Sequence, residues 1–338
     1  MAYSNYKPPY SYNESISNSL VEIGELLGLY QGSLKNEALP HLRRDSKVQT
    51  IHSSLAIENN RLSESQVTAL LDGKRVLGTQ KDILEVQNAF KAYDQLADFK
   101  STSEDDFVEA HRLLTYGLVS GSGKYRNSQV GVFDGDAVIH IGSPVFLVPK
   151  LMGDLFSWLS CSKEHPLIKS CVFHYEMVFI HPFEDGNGRI ARLWQSLILR
   201  EWNPVFEFLP IETLVYENQD GYYRAIQRSN SDGNSTEFII FMLKTIADSL
   251  KQALQNSDDV NRDVNYDVNR DVSRSDLKKL IMEEIKKNPE ISIQQLSTLA
   301  GVSRRTIDRK IDELKQNGLL SRSGTKRKGI WMILSEDI

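Results

Sequence analysis

Cysteine is scarce: Cys161 and Cys171 are the only two in 338 residues. Two unclustered thiols fit no metal-site spacing and suit a reducing compartment rather than a disulfide framework. Long apolar runs are missing as well. None approaches the roughly 18 residues of a membrane span, so no membrane segment is expected. Residues Met1 to Ser15 are polar, aromatic and proline-bearing, with no basic stretch leading into an apolar one. No secretory signal is expected, and the cytoplasm is the default location. Nor is there an excess of positive charge. A net charge of −5 makes no case for wholesale nucleic-acid binding, so any such surface must be local. What is present, 40% hydrophobic and 25% charged residues, describes an ordinary core-forming protein. The length allows two or three domains at roughly 100–200 residues each.

The periodicity predicts a mainly α fold. Residues 1–100 begin with an extended arm and then carry helical stripes, such as Leu20, Ile23, Leu26 and Leu27, and later Ile83, Val86, Phe90, Tyr93 and Leu96. Residues 101–250 continue in helices, with Leu151–Leu159 and Leu167–Ile180 leading into a glycine loop. At 251–275 the composition breaks into a four-residue repeat starting at Asp259, Asp263, Asp267 and Asp271. Asp, Asn and Val are poor helix formers, so this reads as a linker, although the period also permits a helix with its valines on one stripe. Residues 276–338 read as helix, helix, tight turn at Gly301, helix, then two strands around a basic turn.

The chemistry is concentrated in His181-Pro-Phe183-Glu184-Asp185-Gly186-Asn187-Gly188-Arg189-Ile-Ala-Arg192. Gly186 and Gly188 let backbone N–H groups turn toward an anion. The helical pattern that follows makes the turn a helix N-terminus, an anion site through its free N–H groups and dipole. Arg189 and Arg192 share one helix face and can grip two phosphates of one nucleotide. Asp185 is a hard carboxylate suited to Mg²⁺. His181 is suited to take a hydroxyl proton near neutral pH, and Pro182 predicts that the preceding helix ends there. A bare His-Pro is usually a helix end and a bare Gly-Asn-Gly a turn; the compatible spacing of all the parts points to chemistry.

This string resembles the Fic motif, His-x-Phe-x-(Asp/Glu)-Gly-Asn-Gly-Arg-x-x-Arg, at every fixed position. The resemblance implies a helical Fic core with a β-hairpin flap and transfer of AMP from ATP to a Ser, Thr or Tyr hydroxyl of a target protein, or of the protein itself. It makes His181 the base, Asp185 the Mg²⁺ ligand, Gly186-Asn187-Gly188 the anion hole, and Arg189 and Arg192 the holders of the outer phosphates. Glu184 falls at a variable position. Related Doc kinases carry lysine where Gly188 stands, which favours nucleotidyl over phosphoryl transfer here. The resemblance also allows a homodimer.

Upstream, Asp45–Asn60 carries a partly apolar helical stripe (Val48, Ile51, Leu55), with Asp45 or Ser46 as N-cap and Asn59-Asn60 at the end. Ser54 and Glu58 share a face. By spacing alone Glu58 is a solvated glutamate near a helix end. Ser54-Leu-Ala-Ile-Glu58-Asn59 also resembles the inhibitory motif (Ser/Thr)-x-x-x-Glu-(Gly/Asn) of one Fic class. That resemblance implies that Glu58 pairs with Arg192 and blocks the γ-phosphate.

Short β-branched runs around Asp134-Gly135 predict a hairpin with an edge open to a peptide strand. It resembles the Fic flap, which implies nucleotide contacts within Val138, Ile139, His140 and Ile141. Tyr222, Tyr223 and Asn230 resemble the segment lining the adenosine end, although tyrosines packing a helix account for the pattern nearly as well. The C-terminal region resembles a winged helix-turn-helix. Arg304, Arg305, Thr306 and Arg309 would face DNA, and Lys326-Arg327-Lys328 would form the wing; protein-binding winged helices are the alternative. Two further readings stay open: a nucleotide-sensing DNA-binding regulator, and a Fic transferase that uses another donor such as UTP or CDP-choline.

Overall fold

A computed structural model describes residues 6–34, 39–134, 137–269, 274–289, 291–300, 304–316, 318–325 and 328–334; at a few of these, among them 132–134, 137–141 and 257–269, it describes the backbone alone. The chain forms two compact units, residues 1–254 and 255–338.

The first unit is built from helices α1 (Glu14–Ser33), α2 (Leu39–Ala56), α3 (Glu64–Leu71), α4 (Gln80–Asp94), α5 (Glu104–Thr115), α6 (Val148–Cys161), α7 (Pro166–Ile180), α8 (Asn187–Trp202), α9 (Ile211–Glu217), α10 (Gln219–Asp232) and the start of α11 (Thr236–Asn269). The caps are local sequence signals. Asn13, Thr79 and Ser103 accept N–H groups of the first turns of α1, α4 and α5, and Ser63 and Gln66 form a capping box on α3.

At the centre, α7 and α8 pack side by side. Helix α7 is apolar almost all round and buried over most of its surface, Phe179 being exposed, because it separates two cores. Phe173, Met177 and Ile180 meet Phe107, Phe156, Phe183 and Trp194 on one side. Leu167, Ile168, Cys171, Val172 and Tyr175 meet Tyr222, Phe238 and Ile239 on the other. The loop between these two helices is the glycine-rich string. Both of its ends are therefore anchored in rigid elements.

Two sequence expectations are corrected. Helix α2 begins at Leu39 rather than at Asp45 or Ser46. Pro40 suits a first helical turn, and the Ser46 hydroxyl makes a tertiary bond to the Phe208 carbonyl at 2.9 Å instead of a cap. The repeat is also helical through Asn269, as a continuation of α11. Once a helix is nucleated, each further residue costs little, so poor formers are carried along. Residues 270–273 lie outside the described residues.

The flap is the antiparallel pair β1 (Gly131–Asp134) and β2 (Ala137–Ile141). Its register shifts between Val132, opposite His140, and Phe133, opposite Val138, so β2 carries a bulge at Ile139. Gly135, at the expected turn, lies outside the described residues.

In the second unit, α12 (Arg274–Lys287), α13 (Ile293–Ala300) and α14 (Arg304–Gln316) precede the hairpin β3 (Leu320–Thr325) and β4 (Lys328–Ile333). Ile281, Ile285, Leu296, Ile307, Ile311, Leu314, Leu320 and Trp331 form its core. The Trp331 indole donates to the Ile291 carbonyl at 2.9 Å. Among the described residues no helix is long and apolar enough to cross a membrane.

Candidate active site

Helix α7 ends at Ile180, as Pro182 predicts, but His181 adopts a left-handed conformation, φ 55° and ψ 61°, rather than the extended one favoured before proline. Left-handed residues terminate helices readily, and the His181 N–H still bonds the Met177 carbonyl at 3.0 Å. Arg126 holds this geometry. Its Nε donates to the His181 carbonyl at 2.7 Å, its Nη1 to Ser128 at 2.9 Å and its Nη2 to Ser143, while its own N–H bonds the Pro182 carbonyl at 2.9 Å. One guanidinium thus ties the glycine-rich loop to the base of the flap. Gly142 completes the approach: a Cβ there would stand 3.1 Å from the His181 Cβ and 3.0 Å from Arg126 Nη2.

The loop is closed from within. Asn187 Oδ1 accepts the Phe183 N–H and its amide donates to the Phe183 carbonyl, both at 2.9 Å. Phe183 is buried and stacks on His111 with ring centroids 3.5 Å apart. His111 Nδ1 accepts the Gly123 N–H at 3.1 Å, so its Nε2 carries the proton and donates to the Asp185 carbonyl at 2.9 Å. Burial lowers the His111 pKa to about 4. Gly186 takes φ 81°, where a Cβ would also meet Thr115 Cγ2 at 2.8 Å. Only glycine fits there.

Gly186 offers α8 no side-chain cap, which leaves the first-turn N–H groups available to an anion. The Asp185 carboxylate accepts the Gly186 N–H at 2.6 Å and Arg189 Nη2 at 3.0 Å. Burial opposes its charge, but Arg189 and the Gly186 N–H outweigh that and hold its pKa below the usual carboxylate value. It is half-exposed and ionised, as a Mg²⁺ ligand must be. Among the described residues no cluster of three or more His, Cys, Asp or Glu could hold a metal unaided. Asp185 by itself offers one hard oxygen ligand, which suits a cation whose other ligands come from outside the protein.

Arg189 is shared with Glu85, 3.5 Å away, which also accepts the Asn60 amide at 2.8 Å. Arg192 is held by α2 and the turn after it. Its Nε donates to Ser54 Oγ at 3.0 Å, and its Nη2 donates to the Ser54 carbonyl at 2.9 Å and to Glu58 Oε1 at 2.8 Å. Burial works against the guanidinium's charge, and Glu58 more than restores it, so the pKa lies above the ordinary arginine value. Glu58 Oε1 lies so close to Gly188 that a Cβ there would collide with it. The carboxylate thus lies against the first turn of α8, paired to Arg192.

The adenosine-side expectation divides. Tyr222 is buried against Phe238, and its hydroxyl lies 2.9 Å from His174 Nε2, so it offers no open ring face. Tyr223 is exposed, and Asn230 Oδ1 accepts the Tyr175 hydroxyl at 2.9 Å. Val138–Ile141 lie in β2, but their side chains are outside the described ones. In the second unit, α14 exposes Arg304 and Arg309, half-buries Thr306 and buries Ile307, Ile311 and Leu314. The side chains of Arg305 and Lys328, and Lys326 and Arg327 altogether, lie outside the described residues.

Residues 101–199 match the Fic/DOC family and residues 277–329 an HTH domain. A protein adenylyltransferase Fic of Nematostella vectensis is 31% identical over 63% of this chain and 50% of its own length. The adenylyltransferase fic-1 of Caenorhabditis elegans is 27% identical over 66% of this chain and 44% of its own. The chain thus spans half or less of the length of these relatives. A Fic-1 fragment from C. elegans shares the fold at a TM-score of 0.59 and 23% identity, covering 71% of this chain and 73% of that one. A Fic family protein from Desulfovibrio desulfuricans G20 aligns with 98% of this chain and 99% of its own, at 39% identity and a TM-score of 0.71. With both chains matched almost end to end and the loop motif complete, this protein belongs to the Fic family.

Proposed function

We propose that this protein is an adenylyltransferase that moves AMP from ATP to a protein hydroxyl, its own or a target's, and that Glu58 restrains it. The observation that carries the reading is the ion pair between Glu58 and Arg192, 2.8 Å, formed over Gly188 at the α8 N-terminus. A carboxylate there neutralises the guanidinium fork and occupies an anion position. A triphosphate must displace it to bring its outer phosphates to Arg192.

In the released state, Arg189 and Arg192 grip the outer phosphates and the α8 N–H groups receive phosphate oxygens. Asp185 would hold the Mg²⁺, which supplies charge neutralisation to the polyphosphate. His181 takes the proton of the attacking hydroxyl. The bond from that oxygen to the α-phosphorus forms, the bond to the bridging oxygen breaks, and pyrophosphate leaves. The flap edge offers main-chain groups for aligning the target segment. The second unit binds DNA through the exposed Arg304 and Arg309 of α14, consistent with its match to an HTH domain.

The test is incubation with α-labelled ATP and Mg²⁺ of wild type, Glu58→Gly, and Glu58→Gly carrying His181→Ala. Label that rises with the first substitution and disappears with the second supports a restrained transferase. ATP binding without label in any form would overturn it in favour of a nucleotide-sensing regulator, and label from UTP instead would change the donor.

A further inference from the structure

Four polar residues on the inhibitory segment, Ser46, Thr50, Ser54 and Glu58, are spaced by one helical step of four and form a ridge along α2 and its final turn. On α8, Gly188, Arg192, Ser196 and Arg200 form a second ridge by the same spacing. At one end the two meet through Glu58, Ser54 and Arg192. Glu212 of α9 stands between them. Its Oε1 accepts the Ser196 hydroxyl at 2.8 Å and faces the Tyr93 hydroxyl at 3.5 Å, and its Oε2 accepts the Thr50 hydroxyl at 3.2 Å. Ser53 of α2 also meets Thr213 of α9 at 3.2 Å.

Glu212 is buried, and burial raises its pKa above the usual glutamate value. A buried carboxylate is costly unless its acceptors are filled. Here α4, α2 and α8 each supply a hydroxyl. Removing one donor leaves a buried acceptor short of a partner, and the helix that supplied it loses its grip.

We propose that Glu212 is the positioning residue that clamps the inhibitory helix against α8, so that Glu58 reaches Arg192 only while Thr50 and Ser196 are both bound to it. The inference deepens the restraint reading and rests on it for its effect on activity, though not for the clamp itself.

The test compares Thr50→Val, Ser196→Ala and the conservative Thr50→Ser in the full chain, by amide hydrogen exchange over 46–58 and by labelling from α-labelled ATP. Thr50→Val and Ser196→Ala are expected to speed exchange in α2 about tenfold, leaving α7 unchanged, because a lost buried hydrogen bond weakens local closure by about that factor. Thr50→Ser keeps the hydroxyl and the wild-type exchange. The two disruptive variants also raise labelling in the wild-type background and add nothing on top of Glu58→Gly. Wild-type exchange in α2 for both Thr50→Val and Ser196→Ala would overturn the clamp, even if Glu58→Gly raised labelling. Faster exchange with no gain in labelling from Glu58→Gly would sink the restraint and leave the clamp standing.

Discussion

Replacing Glu58 by Gln separates charge from bulk. The Glu58 side chain is 36% exposed and that of Arg192 2%, so the pair lies at the margin of the interior, where screening is incomplete but real. A hydrogen bond to a charged group contributes about 1.5–3 kcal/mol, toward the upper end when both partners are ionised and the lower end when only Arg192 is. Glutamine keeps the size of the side chain over Gly188 and one acceptor for Arg192, so the closed state should weaken by about 1–1.5 kcal/mol. That is roughly a tenfold rise in the fraction competent for ATP. Repulsion of the γ-phosphate disappears as well. Glu58→Gly removes the remaining hydrogen bond and the bulk, and should exceed Gln by several-fold more. Glu58→Asp keeps the charge but falls short of Arg192 by about 1.5 Å, and should fall between wild type and Gln. Initial rates of AMP incorporation at saturating Mg²⁺, with ATP affinity measured alongside, give the order. If Gln matched wild type while Gly rose tenfold, bulk rather than charge would govern the restraint, and the electrostatic reasoning would be refuted.

Four further outcomes follow from the geometry. Gly186→Ala should destabilise the first unit by about 2–4 kcal/mol, since it combines a left-handed backbone with contacts to Thr115 and His111; chemical denaturation reads this directly. Arg126→Lys removes the fork that holds three carbonyls and should lower kcat about 10- to 100-fold in the Glu58→Gly background, at temperatures where the variant is still folded; unchanged kcat would show that His181 needs no such clamp. Burial lowers the His174 pKa to about 3. Its folded pKa is thus below its unfolded value near 6.5, so its contribution is full above that value and is lost as pH falls, by about 2 kcal/mol between pH 7 and 5. His174→Asn should flatten that part of the stability profile, and an unaltered slope would count against the assignment. Arg309→Ala should weaken binding of the full chain to duplex DNA and, if its contact is to phosphate, reduce the salt dependence by about one unit of slope; anisotropy titrations at several salt concentrations check both.

The glycine-rich loop is legible in the sequence because it is local. A histidine at a helix end, a glycine turn and two arginines on the next helix face are all fixed by positions within one short segment, and backbone rules suffice to bring them together. The same holds for the hairpin and for the three-helix pattern of the second unit. The starts and ends of elements were less legible. Pro40 allowed α2 to begin earlier than its polar residues indicated, and the repeat joined α11 because propagation of an existing helix overrides weak propensity.

The partners of the loop belong to another level. Glu58 reaches Arg192 across 134 residues and Glu85 reaches Arg189 across 104; by spacing alone Glu58 is a solvated glutamate, and only a motif resemblance points to its pairing with Arg192. Arg126, His111 and Glu212 carry no pattern that sets them apart in the chain, because their roles come from carbonyls, rings and hydroxyls on other elements. Tyr222 had a plausible place beside a base until packing against Phe238 enclosed its ring. Sequence fixes what a segment can do with its own backbone and its near neighbours. Burial and long-range hydrogen bonds, which exist only once α2, α4, α8 and α9 are packed together, decide which charges are restrained, which are poised and which merely hold the fold.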